Sequence, residues 1–493
     1  MHHQFTTAYV SKSSNGTTNG TGLRLNFIRA LASFFATSNM ATLGLLVLSL
    51  FAKPASAQNI DWEWKAQSVG YDNISVAGTT LDKQGNSYVT GRFRGKVSFG
   101  TTQLVSQGRS DLFVAKLTAQ GAWAWAKSAG GEEIDRATAI VADTRGNLYV
   151  AGSFSQKLTL GKTTLASRGG QDCFVAKMNS NGQWTWAKSV ASTAGSEATS
   201  LVLDNRGEVV VAGRFTETAS VGTGLLISHG DGDAFVAKLS SKGVWRWSTS
   251  LGGVGNDIIS AIATTKTGEL YVTGFSHGAT LDATTTKKPY IVQAFVAKLN
   301  AGGERQWLAE VVGEGTSYGK AIAVNSEHQV FVTGSLSGTA TFGSATLNSY
   351  GGDDAFVAQL DDQGQWQWIC TMGSDVFDTG TAIAVNELGN VCVAGTFGHS
   401  IRHEDTSLNL TSHGGTDIFL TQFTTRGKMV SSAAVGSEAD DGEGQLAIDA
   451  AGNCQLTGIC GGNLQLGTLQ VKMDSPQVII VRFRPNVFEV VRY

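Results

Sequence analysis

The chain has 493 residues, of which 42% are hydrophobic, and a formal net charge of -3 at pH 7. This size allows a large buried core, and the near-neutral charge gives no electrostatic reason to expect nucleic-acid binding. The 61 glycines and four prolines are typical of many short strands joined by tight turns, because glycine enters positive-φ turns without steric cost.

The N-terminal segment differs in composition from everything after it. An apolar run extends from Ala41 to Ala52 and is followed by small residues at Ala55 and Ala57. The run is shorter than the ~20 residues that a membrane helix needs, and it precedes a site of the type that signal peptidases cleave. We therefore predict a signal peptide over residues 1–57 with a long n-region, and no transmembrane span in the mature chain. The predicted location is secreted or cell surface, with the periplasm as an alternative.

The rest of the chain repeats itself about every 61 positions, as the step from Trp125 to Trp186 illustrates. The most regular marker, Gly-x-Trp-x-Trp, occurs at Trp123/Trp125, Trp184/Trp186, Trp245/Trp247 and Trp366/Trp368. A second marker, Asp-x-Phe-Val-Ala-Lys-Leu, has seven anchors at Phe113, Phe174, Phe235, Phe295, Phe356, Phe419 and Ile479. Self-similarity at this spacing predicts a solenoid, a propeller or an array.

Residues 138–189 serve as the example of one repeat, and they predict four antiparallel strands. Two tryptophans at i and i+2 in the fourth strand point to the same face. Residues 158–165 carry a central Gly-Lys between the second and third strands and predict an added short hairpin. Because seven repeats lie within the four to eight blades that close a ring, we predict an all-β fold, a seven-bladed β-propeller over residues 58–493.

The fourth-strand pattern occurs once more than the other strand types. We predict that residues 61–67 complete the last repeat beside residues 478–483, with residues 487–493 as an extra edge strand or tail. The reverse assignment is the alternative. Either arrangement removes an unpaired edge that would invite aggregation, and a closed ring predicts a monomer.

The ordered motifs resemble a known family. Together with Phe-Gly-x-x-x-Leu at Phe99 and Phe342, they are similar to the bacterial seven-bladed β-propeller repeats known as SBBP repeats, over about residues 61–493. The resemblance implies an exported, non-catalytic propeller. It supplies no shared catalytic residues for this chain.

Two segments match catalytic signatures, but their place in the repeat argues against chemistry. Residues 274–278 read Gly-x-Ser-x-Gly around Ser276, yet a nucleophile elbow needs a strand-to-helix turn. Residues 378–380 read Asp-Thr-Gly, half of an aspartic-protease pair, without a second copy. We therefore predict that the protein is not an enzyme. The alternative is a secreted polysaccharide lyase or hydrolase that uses acids with His229 or His413.

An aspartate precedes the third-strand anchor by two residues in five repeats: Asp111, Asp172, Asp233, Asp354 and Asp417. We predict that each carboxylate accepts backbone N–H groups of the glycine-rich turn before it. No cofactor is expected. Calcium is the alternative, because Asp231, Asp233, Asp353 and Asp354 supply hard oxygen ligands, and it would fit a calcium-stabilised adhesion protein.

The tryptophans and cysteines have structural interpretations. The Trp pairs recur in every regular repeat, which predicts packing between blades rather than quinone or sugar stacking. The five cysteines are Cys173, Cys370, Cys392, Cys454 and Cys460. We predict buried thiols, with a Cys454–Cys460 disulfide as the alternative.

One loop position changes from repeat to repeat while the serine before it and the glycine after it stay constant: Gln107, Arg168, His229, Tyr350 and His413. This loop and the connection between blades emerge on one face of an up-and-down propeller, and a constant backbone with varied side chains is typical of recognition. Nearby acids, among them Glu132, Asp135 and Asp257, predict a negative potential there. We therefore predict a binding or structural module at the cell surface that recognises a glycan or a protein through this face.

Overall fold

The computed structural model describes residues 61–70, 74–277, 281, 291–386, 389–403, 409–449, 452–466 and 469–484. All regular secondary-structure elements in these ranges are β-strands. None of the described residues belongs to a helix long and apolar enough to cross a membrane. The predicted signal peptide and the predicted tail at residues 487–493 lie outside the described residues.

The strands are short and follow one another through tight turns. In the first third they are β1 (Asp61–Gln67), β2 (Val69–Gly70), β3 (Ile74–Leu81), β4 (Ser87–Phe93), β5 (Lys96–Phe99), β6 (Thr102–Val105), β7 (Asp111–Leu117), β8 (Trp123–Ala129), β9 (Asp135–Ala142), β10 (Leu148–Leu160), β11 (Thr163–Met178) and β12 (Trp184–Ser192). Next come β13 (Gly195–Leu203), β14 (Val209–Thr216), β15 (Thr218–Val221), β16 (Gly224–Ile227), β17 (Asp233–Leu239), β18 (Trp245–Leu251), β19 (Asp257–Thr264), β20 (Leu270–His277), β21 (Val292–Leu299), β22 (Arg305–Gly313), β23 (Thr316–Val324) and β24 (Val330–Ser337). The last are β25 (Thr339–Phe342), β26 (Ala345–Asn348), β27 (Asp354–Leu360), β28 (Trp366–Gly373), β29 (Thr379–Val385), β30 (Asn390–His403), β31 (Leu410–Thr424), β32 (Met429–Val435), β33 (Gly442–Ile448), β34 (Cys454–Leu466) and β35 (Leu469–Arg484).

The strands pair into four-stranded antiparallel units. Unit 1 is β3-β4-β7-β8, unit 2 is β9-β10-β11-β12, unit 3 is β13-β14-β17-β18 and unit 4 is β19-β20-β21-β22. Unit 5 is β23-β24-β27-β28, unit 6 is β29-β30-β31-β32 and unit 7 is β33-β34-β35-β1. The first strand of each unit contacts the first strand of the next, and β33 returns to contact β3. This is a β-propeller arrangement, so the prediction of an all-β propeller is confirmed.

The two ends of the described chain meet in unit 7. Strand β1 pairs antiparallel with β35, from Asp61 opposite Arg484 to Gln67 opposite Ile479. The pairing continues where the Ser68 N–H donates to the Val478 carbonyl oxygen at 3.0 Å. The prediction that residues 61–67 complete the last unit beside residues 478–483 is confirmed.

The core lies between neighbouring units, because the third strands are covered on both faces. All seven residues of β17 and of β27 are buried. One hydrophobic cluster joins Val175 of unit 2 to Phe235 of unit 3. Burial of such a side chain contributes about 1.5–3 kcal/mol relative to its exposure, so each unit is stabilised mainly by its neighbours.

The predicted extra hairpin is present, and it does more than lengthen the repeat. In the example unit, Lys157 to Leu160 pair with Thr163 to Ala166. The hairpins in the described part of the chain also pair with the outer, fourth strand of the preceding unit or its continuation. These pairs include Val69 with Ser98, Ala191 with Ser220, Val311 with Phe342 and Met372 with His403. Backbone hydrogen bonds therefore join adjacent units at their outer edge, which sequence reasoning did not predict.

The second tryptophan of each pair packs against the next unit. The Trp186 indole N–H donates to the Ser241 carbonyl oxygen at 3.2 Å, and Trp368 donates to Thr425 at 2.9 Å. The Trp186 ring also lies against Gly243, whose φ is +75°. Packing between units is confirmed as the role of this residue.

None of the five cysteines, all of which lie in the described ranges, forms a disulfide, and four of them are buried. Cys454 and Cys460 lie six residues apart on the single strand β34, which separates them by roughly 20 Å. The Cys454–Cys460 disulfide alternative is therefore wrong. Instead, the Cys454 sulfur lies 3.1 Å from the Cys392 sulfur of unit 6.

Candidate functional site

The five varied loop residues are held through their backbones by the five recurring aspartates. Each aspartate carboxylate accepts the N–H of the varied residue four positions earlier, as in Arg168 to Asp172 at 2.8 Å and His413 to Asp417 at 2.9 Å. The same bond links Gln107 to Asp111, His229 to Asp233 and Tyr350 to Asp354. The aspartates are at most 1% exposed. The predicted role of these carboxylates as turn acceptors is confirmed.

The varied side chains are exposed and stand one to a unit, in units 1, 2, 3, 5 and 6. Arg168 reaches the next unit, where its Nη1 donates to Ser220 Oγ at 3.1 Å. The two histidines turn back toward their own aspartates, with Nδ1 to Oδ2 distances of 3.2 Å for His229 and 2.9 Å for His413. The structure therefore places these residues at equivalent positions of five units but does not gather them into one pocket. Gln107, His229 and Tyr350 lie in loops, whereas Arg168 and His413 lie within the long strands β11 and β31.

A second buried aspartate follows the first at four of the junctions between units. The pairs are Asp111 with Asp135, Asp233 with Asp257, Asp354 with Asp378, and Asp417 with Asp441. In each pair the second N–H donates to the carbonyl of the residue before the first aspartate, at 2.6–2.9 Å. All eight carboxylates are at most 3% exposed. They form a recurring set of buried carboxylate pairs.

Hydrogen bonding within these pairs is incomplete. The Gly131 N–H donates to Asp135 at 2.7 Å, whereas at the junction without a second aspartate the equivalent N–H of Ser192 donates to Asp172 Oδ1 at 3.0 Å. As a result, the Oδ1 atoms of Asp111, Asp354 and Asp417 have no hydrogen-bond partner among the described residues. An unpaired buried acceptor is costly, and a second charge beside it raises that cost.

The electrostatics follow from this geometry. Burial, together with a smaller effect of the Asp111 charge, raises the pKa of Asp135 to about 7. Burial likewise raises the pKa of Asp257 to about 7. The predicted negative surface potential is therefore wrong for these two residues, because they are buried. Glu197, another acid of the loop face, is paired with Arg136.

The calcium candidates are divided by burial. Asp233 and Asp354 belong to buried pairs, whereas Asp231 is exposed and Asp353 is half-buried. Within the described ranges, three acidic, His or Cys ligands come within 4.8 Å of one another only at Glu269, His328 and Asp362. Calcium at Asp231, Asp233, Asp353 and Asp354 stays a prediction.

The cluster at Glu269 was missed by sequence reasoning. Lys298 Nζ lies 2.8 Å from Glu269 and 2.5 Å from Asp362, and His328 Nδ1 lies 3.0 Å from Glu269. Because an ammonium group already stands between the two carboxylates, the cluster is a charge network rather than a cation site. The available signal was His328 itself, which has a φ of 61° at a turn position that is glycine in the other units.

The two catalytic-looking motifs have structural roles. Ser276 is buried within strand β20, opposite Asp257. Asp378 accepts the Ser374 N–H at 2.6 Å and the Gly398 N–H at 3.1 Å. Ser276 does not lie in the strand-to-helix turn that its motif requires. Asp378 pairs with Asp354 at a buried junction between units rather than with an aspartate of a second Asp-Thr-Gly motif.

Comparisons with known proteins give only distant similarities. No protein-family model matches this chain. A stretch of 256 residues is 22% identical to an uncharacterized WD repeat-containing protein of Acanthamoeba polyphaga mimivirus, and the match covers 43% of this chain and 18% of that protein. The chain thus spans less than a fifth of that relative.

Among solved structures, a PL25 ulvan lyase aligns with a TM-score of 0.46 and 11% identity over 85% of this chain and 95% of its own. BamB from Moraxella catarrhalis aligns with a TM-score of 0.35 and 13% identity over 88% and 92%. A Dyadobacter fermentans protein of unknown function aligns with a TM-score of 0.40 and 12% identity over 70% and 93%. None of these similarities assigns an activity to this chain.

Proposed function

We propose that the seven units are the blades of one closed, SBBP-type propeller, exported by the signal peptide at residues 1–57. In this proposal it acts at the cell surface as a non-catalytic binding or structural module, and its Gly- and Asp-rich loop face recognises a glycan or a protein partner. The observation that carries the proposal is the buried aspartate that fixes the backbone of each varied, exposed loop residue.

A fixed backbone lowers the entropy lost when a ligand binds, because the loop is already ordered before contact. The varied side chains are an amide, a guanidinium, two imidazoles and a phenol. Tyrosine and arginine are enriched at protein interfaces, where they combine apolar area with hydrogen bonding. The aspartate fixes the same backbone turn in several blades, and each turn carries a different side chain. This arrangement supports recognition of an extended ligand.

Catalysis is less well supported, because acid and base groups must lie within hydrogen-bond reach of one substrate atom, and the varied residues stand one to a blade. The second candidate is a polysaccharide lyase or hydrolase. The observation that favours it is the 2.9 Å contact between His413 Nδ1 and Asp417, which would orient the imidazole and leave Nε2 for a substrate proton.

The test uses purified residues 58–493 on a panel of glycans and surface extracts, with retention and released product both measured. The double variant His229→Ala/His413→Ala is compared with Arg145→Ala, which removes an exposed side chain from a turn between first and second strands. We expect retention without cleavage, and its loss in the histidine variant at an unchanged melting temperature. Retention that the histidine variant leaves intact would contradict the proposed face, and cleavage would establish the second candidate.

A further inference from the structure

A cavity of about 620 Å³ opens on the loop face where units 7, 1 and 2 meet. Its walls carry Arg92 and Arg94 at the end of β4, and Arg109, which lies two residues after the varied residue Gln107. Glu443 of β33 completes the rim from unit 7. We name this cavity the arginine pocket.

Two of the three arginines, Arg94 and Arg109, depart from the repeat, whereas Arg92 recurs in unit 3 as Arg214. Arg92 lies opposite Leu112 in the strand pairing, and Arg94 directly follows Phe93, which lies opposite Asp111. Both positions therefore have defined equivalents in the other units. The equivalents in unit 2 are Ser153, Ser155 and Gly170. Because unit 2 forms the same strands with two serines and a glycine, the fold does not require arginine at these positions. Their presence in unit 1 therefore points to binding.

The charges of the pocket are compensated only in part from within: burial raises the pKa of Glu443, and the nearby Arg92 charge lowers it. Arg92 and Arg94 form no hydrogen bond or ion pair in the described part of the chain. Arg109 is 73% exposed and lies 3.8 Å from Glu133, a weak contact at this distance. Glu443 is held by the Val76 N–H at 2.6 Å. Three positive and one negative lining residues leave a net charge of +2.

Two further features describe the ligand. Ser110 lines the pocket, and its buried hydroxyl has no hydrogen-bond partner among the described residues. Ile74 and Ile134 add apolar surface beside the charges. The volume lies within the range of small-ligand sites. A ligand that fits would combine an anionic group, hydroxyl groups and an apolar ring face.

We propose that the arginine pocket binds an acidic sugar unit of an anionic polysaccharide, through its uronate or sulfate group. The guanidinium fork matches the oxygen spacing of carboxylate and sulfate and gives charge-assisted, bidentate hydrogen bonds. This inference rests on the proposed function, since it names the ligand class of the same loop face. It adds a charged contact at the junction of units 7, 1 and 2 to the contacts of the varied residues.

The test measures binding by calorimetry with four probes: an oligogalacturonate, a sulfated dextran oligosaccharide and the unsulfated dextran, all of equal length, and a glutamate-rich peptide. The variant R92S/R94S copies the serines that unit 2 carries at the same positions. The control R145S/R206S removes two positive charges from turns between first and second strands. We expect an acidic probe to bind wild type and control equally, and R92S/R94S to bind it at least about tenfold more weakly.

Each other outcome overturns the inference. If acidic probes bind R92S/R94S as well as wild type, the pocket is not their site. If the dextran probe binds as tightly as the sulfated one, the ligand is not recognised by charge, and the proposed glycan-binding function stands without this inference. If a glutamate-rich peptide matches the acidic glycans and depends on Arg92 and Arg94, the ligand class is wrong. If no probe binds in any arm, the inference fails, while the wider panel of glycans and extracts decides the proposed function.

Discussion

Replacement of Asp111 by asparagine tests the buried carboxylate pairs. Asp111 Oδ2 accepts the Gln107 N–H at 3.0 Å, whereas Oδ1 has no partner. In the variant the amide oxygen keeps the first bond, and the amide nitrogen takes the place of the unpaired oxygen beside Asp135. Asp135 Oδ1 is itself unpaired. The substitution thus removes one charge and supplies one donor.

The magnitude follows from the pKa of Asp135, which rises from 3.8 to about 7. A rise of about three pH units corresponds to about 4 kcal/mol of folding free energy when the group is ionised. Burial is the largest cause of this rise, and the Asp111 charge is a smaller one. We therefore expect Asp111→Asn to recover only part of the cost, about 1–2 kcal/mol at pH 8.

The dependence on pH has a defined sign. Because the folded pKa is raised, the contribution of Asp135 to stability is complete below pH 3.8 and is lost as the pH rises through about 7. Wild type should therefore be less stable at pH 8 than at pH 5. The gain from Asp111→Asn should be largest at pH 8 and small at pH 5, where the wild-type pair already holds a proton.

The assay is urea unfolding at both pH values in the presence of a chelator, so that divalent cations do not contribute. Asp172→Asn is the matched control, since Asp172 has no second aspartate and its two oxygens accept the N–H groups of Arg168 and Ser192. We expect this control to lose about 1–3 kcal/mol at pH 8. Equal destabilisation of both variants at pH 8 would refute the reasoning.

Three further predictions concern packing, closure and thiol chemistry. Gly243→Ala should lower the free energy of unfolding by about 2–3 kcal/mol in thermal or urea unfolding, because its φ is +75° and a Cβ would lie 2.9 Å from a tryptophan ring. Gly207→Ala, with a φ of +71° and open space around it, should lower it by only about 1 kcal/mol. Equal losses would contradict the packing argument. Deletion of residues 58–70 should produce oligomers by light scattering, since it exposes the edge of the last unit, and a peptide of those residues should restore the monomer; a monomeric deletion would count against edge closure. A thiol-disulfide oxidant should slowly take up the two thiol hydrogens of Cys392 and Cys454 and leave a disulfide between them, because their sulfurs lie 3.1 Å apart. Peptide mapping should detect this link, and linkage of either residue to another cysteine would disprove the prediction.

Much of the fold was predictable because its signals are local and recur. The four-strand pattern, the added hairpin and the turn role of Asp172 each depend on residues close together in the chain. Closure by residues 61–67 was also predictable, because one strand type was in surplus. The pairing of the described hairpins with the preceding unit was not predictable, because packing between units sets its register. No residue pattern within one repeat indicates this register.

The candidate site was less predictable for the same reason. Asp111 and Asp135 belong to different units, so their approach is visible only once the units are packed. The arginine pocket likewise draws on three units. Its signal was present as departures from the repeat at Arg94 and Arg109, where unit 2 carries Ser155 and Gly170.

Strand β1 is the first to leave the ribosome, and its partner β35 is the last. Until β35 has been made, β1 lacks the partner that it has in the folded chain, so unit 7 keeps an open edge until almost all of the described chain has been synthesised. Pairing of β1 with β35 closes a very long loop, and the entropic cost of this closure arises only near the end of synthesis. This favours a slow final step of folding. A chain that cannot complete unit 7 during synthesis stays free of its final structure for longer. Under the proposed export, this interval would allow transport of the unfolded chain across a membrane before β1 and β35 meet.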